Sequence, residues 1–123
     1  MAYKLVISPL VEFPVRFSVK DGAKDRTFAF KMRCQRTDVE AFRRSMQESS
    51  ETLGDLLRGF LASPALGLQM VEWVGEPILV DEVGNPAPAG AEAFAHLLTL
   101  DGMLQHVFAA VADANSAKGK LGN

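Results

Sequence analysis

The chain has 123 residues, 48% hydrophobic and 23% charged, which suits one domain with a modest core and excludes a disordered composition. No apolar run approaches the roughly 18 residues of a membrane span, MAYKLVISPL is too short an apolar stretch for a signal peptide, and one cysteine, Cys34, excludes an internal disulfide. The net charge of -2 hides a split: residues 1–36 carry eight basic and three acidic side chains, whereas the remainder carries five basic and twelve acidic ones.

With no nucleic-acid-binding module alongside it, the basic part reads as a solvated strand face. The first element is a strand over Val11 to Lys20, where Phe13, Val15, Phe17 and Val19 alternate with polar residues. Pro14 lacks an amide donor and places this strand at an edge or marks a bulge. A turn in DGAKDR leads to a second alternating run, Thr27 to Gln35, with Phe28, Phe30, Met32 and Cys34 on one side. The pair predicts a hairpin with a connection longer than the tightest type. Its aromatic face needs cover from helices or another chain, because an isolated hairpin is marginal in water.

Thr37-Asp38-Val39-Glu40 has the form of a capping box and predicts a helix over Asp38 to Gln47, with Val39, Phe42 and Met46 facing the core and Ala41 alongside. Ser49-Ser50 offers a second cap, before Leu53, Leu56, Leu57, Phe60 and Leu61 at helical spacing. The pattern leaves open whether residues 37–61 form one bent helix or two. Val71, Trp73 and Ile78 to Val80 supply further apolar contacts, and Gly75 and Pro77 prevent a long helix there. A helix from Ala89 or Gly90 uses Phe94, Leu97 and Leu98. A last one, capped by Thr99 or Asp101, carries Met103, Leu104, Val107, Phe108 and Val111 and ends near Asn115. The expected fold is α+β: an N-terminal antiparallel hairpin or small sheet packed with about four short helices, in one domain over 1–115, followed by a loose tail over 116–123.

Little here points to catalysis. Asp81 and Glu82 are adjacent, so on extended backbone they face opposite ways and do not share a site. His96 and His106 lack partners at metal-ligand spacing. Cys34 lies on the apolar face and reads as a small buried hydrophobe. No nucleophile elbow, phosphate loop or calcium loop is present, and no catalytic, cofactor or metal residue is assigned. The residues expected to matter, as core or protein interface, are Phe13, Val15, Phe17, Phe28, Phe30, Trp73, Phe94 and Phe108. Trp73 fits a core position and a binding anchor equally.

Three segments in order, TFAFKMRCQRTD (27–38), VEWVGEPILVDEVGNPAP (71–88) and AEAFAHLLTLDGMLQHVFAAVADANSAKGKLGN (91–123), resemble the tail assembly chaperones of long-tailed bacteriophages. The likeness covers roughly residues 10 to 123. It departs from the family pattern at Glu72, where a glycine usually precedes the tryptophan, and in a longer stretch between Trp73 and Asp81. The resemblance implies a protein without catalytic residues or cofactors, which holds the tape-measure protein while tail-tube subunits polymerise. It also implies self-association, action in the cytoplasm of the bacterial host, absence from the mature virion, and in many members a longer form made by translational frameshifting. Lys118-Gly119-Lys120 permits slippery codons for such an event. The alternative is a virion structural protein such as a tail-tube or head–tail connector subunit.

Overall fold

A computed structural model describes residues 2–117. Two long strands, β1 (Leu10–Asp21) and β2 (Lys24–Gln35), pair antiparallel from Leu10↔Gln35 to Asp21↔Lys24 without a register break. The connection is the tightest kind, a two-residue loop of Gly22 and Ala23, and not the longer one the polar run DGAKDR suggests. Gly22 sits at φ +65°, a conformation that costs glycine nothing. The run pairs because its charges match across the strands: Lys20 meets Asp25 at 3.1 Å and Arg26 meets Asp21 at 3.0 Å. Pro14 lies on an edge strand, as its missing N–H requires.

A third strand, β3 (Gln69–Val74), joins the other side of β2, giving the order β1-β2-β3. Phe30 pairs with Trp73 and Met32 with Met70, so Val71 is an extra residue in β3 at the point where the register shifts. This bulge puts Met70 and Trp73, three apart in sequence, on one face of the sheet.

The described residues also form four helices: α1 (Val39–Gln47) and α2 (Leu53–Leu61) between β2 and β3, then α3 (Ala91–Leu97) and α4 (Met103–Ala114) after β3. The α+β expectation therefore holds, and residues 37–61 form two helices. The caps differ from those expected. Asp38 accepts from the Ala41 amide at 3.0 Å and caps α1. The Thr37 amide donates instead to Asn115 Oδ1, and the Glu40 carboxylate pairs with Arg43 at 2.6 Å. Thr52, not Ser49 or Ser50, caps α2 by accepting from Asp55 N. Ser49 Oγ accepts from Glu51 N. Neither Thr99 nor Asp101 caps α4: Thr99 Oγ1 donates to the His96 carbonyl at the end of α3, and Gly102 occupies the cap position at φ +83°. Ala41, expected alongside the core, is exposed.

The helices cover one face of the sheet. Val15, Phe30, Met32, Cys34, Leu97, Val107 and Val111 have almost no exposed surface, and Leu57, Leu61 and Met70 join them in one apolar cluster. Beyond it, Phe42 stacks on Phe60 with ring centres 4.3 Å apart, and Phe108 meets both. This aromatic group ties α1 and α2 to α4. The opposite face of the sheet is polar and cross-paired: Glu12 with Arg33 at 3.2 Å, Lys31 with Glu72 at 2.9 Å, and Ser18 with Thr27. Arg26 also reaches Glu76 at 3.3 Å. Part of the basic excess of residues 1–36 is thus matched by acids of the later chain. The expected loose tail falls mostly outside the described residues. At its start, Ser116 Oγ still donates to the Ala112 carbonyl of α4.

Candidate functional site

The eight residues expected to matter divide by depth. Phe13, Val15, Phe28 and Phe30 are buried in the chain's own core. Phe17, Trp73, Phe94 and Phe108 are half-buried around it. The phenylalanine face of the hairpin is therefore covered by the chain's own helices. Trp73 serves the core: its ring meets Phe30 edge-on at 6.4 Å, and its indole N–H donates to the Ala87 carbonyl at 2.7 Å. That bond pins residues 79–87 against the sheet.

Residues 79–87 form a small turn-closed ribbon. Val80 bridges Pro86, the Ala87 amide donates to the Leu79 carbonyl, and the Asp81 amide donates to the Asn85 carbonyl. Asp81 Oδ1 accepts from the amides of Val83 and Asn85, both at 2.9 Å. The carboxylate is thus occupied in holding its own turn. Glu82 is exposed.

The other chemistry-bearing side chains are dispersed. His106 Nε2 hydrogen-bonds the Arg16 carbonyl and joins α4 to β1. His96 is exposed on α3. No group of three or more His, Cys, Asp or Glu among the described residues could hold a metal ion, and no described helix is long and apolar enough to cross a membrane. Cys34 is fully buried. Burial pushes its thiol pKa up, and a hydrogen bond with Asn115 offsets part of that rise.

The folded chain therefore keeps the thiol proton at a pH where the unfolded chain releases it. The stability contributed by this site is complete below the thiol's unfolded pKa and is lost as pH rises through the higher folded value. Labelling with a chromogenic disulfide reagent at about pH 8 is expected to be slow in buffer and rapid in urea. Immediate full reaction of the native chain would contradict this burial.

A concave apolar surface lies elsewhere. A groove of about 690 Å³ runs between the end of α2, the start of β3 and α3, lined chiefly by Leu61, Pro64, Leu68, Met70, Phe94 and Leu98. It exists because Ala91 and Ala95 stand one helical turn apart on α3 and leave a trough between larger neighbours. Arg58 is its charged margin. The groove borders β3, whose outer edge pairs with no strand among the described residues. The sequence marks Leu61, Phe94 and Leu98 as apolar helix positions, Phe94 also as a core or interface candidate, but does not bring them together as a groove. The available signal was the pair of alanines, which reads equally as ordinary helix former.

Fold and surfaces together define a small α+β scaffold with a sheet covered on one side and an apolar groove at its open edge. No family model, curated protein or solved structure matches the chain.

Proposed function

We propose that this chain is a non-catalytic tail assembly chaperone of a long-tailed bacteriophage. In this reading it binds the tape-measure protein in the host cytoplasm while the tail tube polymerises, associates with further copies of itself, and leaves before the virion is complete. The resemblance of three sequence segments in order supports the family. The observation that carries the binding role is the apolar groove beside an unpaired strand edge. Such an edge takes extended segments of another polypeptide through main-chain hydrogen bonds, while the groove takes their apolar side chains. Modest contacts repeated along a long partner add up through multivalency. The dispersal of Asp81, Cys34 and His106 into structural bonds also favours a holding protein over a chemical one.

Co-expression with the tape-measure protein of the same genome is expected to give a soluble complex, and purified virions are expected to lack the chain. Two folded proteins that do not associate would overturn the reading. So would retention of the chain in purified particles, which would favour a tail-tube or connector subunit.

A further inference from the structure

Among the described residues, two apolar surfaces stand out as uncovered. One is the groove beside β3. The other is the segment preceding β1, where Tyr3 is 93% and Val6 101% exposed, and Leu5 and Ile7 are more than half exposed. Four large apolar side chains within five residues, which run without regular structure and bend at Val6 and Ile7, are a poor solvent-facing surface. They are a good strand, since Tyr3, Leu5 and Ile7 fall on one side and Lys4 and Val6 on the other.

The base of this arm is clamped. The Arg36 amide donates to the Pro9 carbonyl at 2.7 Å, the Arg36 guanidinium donates twice to the Ser8 carbonyl, and the Leu10 amide donates to Ser8 Oγ. These bonds fix the direction in which the arm leaves the sheet. They hold it outside its own groove, although both lie toward the end of the sheet where the Gln35 amide meets the Leu66 carbonyl.

We infer that residues 3–7 of one copy lie extended along the β3 edge of a second copy, with Tyr3, Leu5 and Ile7 in the groove. The β3 edge is the suitable one, because β1 carries Pro14 and β3 has no proline. In that placement Lys4 and Val6 share the outer sheet face with Glu72 and Val74 of β3, an acid and an exposed valine. Arm-to-groove contact is heterologous, so two copies can exchange arms reciprocally or a chain of copies can grow. The contact stands on these surfaces and specifies the self-association in the chaperone reading. A partner segment entering the same groove then competes with the arm.

The test is the molar mass of the full chain in solution, by sedimentation or light scattering, beside two variants. One lacks residues 2–7. The other is Ala95→Arg, which fills the trough from an exposed helix position and leaves the core untouched. The unaltered chain is expected to assemble as a dimer or larger, and each variant to fall to the mass of one chain. Circular dichroism and slow Cys34 labelling verify that both remain folded. Mixed together, the variants are expected to form a pair, since one keeps the groove and the other keeps the arm. A single-chain mass for the unaltered protein, assembly that survives either change, or a mixture that stays apart would each overturn the inference. Absence of a tape-measure complex alongside arm-dependent assembly would sink the chaperone reading alone. The reverse pair of results would sink the arm contact alone.

Discussion

Replacing Phe30 with alanine is expected to remove about 3–5 kcal/mol of folding stability, read from equilibrium urea unfolding. Phe30 has no exposed surface and sits on β2, the central strand. Its ring meets Phe17 at 6.0 Å, Trp73 at 6.4 Å and Phe94 at 6.5 Å, so it joins β1, β3 and α3 at one point. Neighbours on both sides hold β2 by backbone pairing, which limits collapse into the vacated space, and the cavity cost adds to the lost burial. Small domains hold only about 5–15 kcal/mol in total, so this loss takes up a large share of it. Phe30→Leu keeps most of the volume and provides a measurable companion, with a loss of about 1 kcal/mol. A loss below about 1 kcal/mol for the alanine variant would contradict the packing of helices on this face.

The second large effect is expected at Asn115. Its Oδ1 accepts from the Thr37 amide at 2.9 Å, and its Nδ2 donates to the Val111 carbonyl at 2.9 Å. One side chain thus fastens the end of α4 to the junction between β2 and α1, across 78 positions of sequence. Asn115→Leu leaves a part-buried amide without its acceptor and is expected to cost about 1–3 kcal/mol. Asn115→Asp keeps an acceptor for Thr37 and is expected to retain the slow hydrogen exchange of that amide, which the leucine variant loses. Equal exchange at Thr37 in both variants would show that the bond does not hold the junction.

How far these features were legible follows from the range of each signal. Period-two alternation is local, and it marked β1 and β2 and their buried faces correctly. Helical spacing marked all four helices. The turn falls within DGAKDR as expected, but it is shorter than its polarity suggests, because charged residues there pair across the strands and one-dimensional polarity cannot distinguish a ladder from a loop. Strand β3 was missed because the extra Val71 breaks its alternation, so Met70 and Trp73 share a face at a spacing no strand template contains. The cap at α1 was misassigned because Thr37 and Asp38 are both good caps, and the choice depends on Asn115, distant in sequence. The groove depends on which neighbours flank two alanines, a property of assembly in three dimensions.

The placement of α4 has a consequence for synthesis. The last helix packs on the first strand, and its Val107 and Val111 complete the cover of the sheet. The hairpin closes through contacts between near neighbours in the chain, whereas the α4 seal requires ends some 90 positions apart. On the ribosome, the phenylalanine side of the hairpin therefore emerges well before the residues that shelter it, and the nascent chain carries that sticky surface until α4 has cleared the exit tunnel.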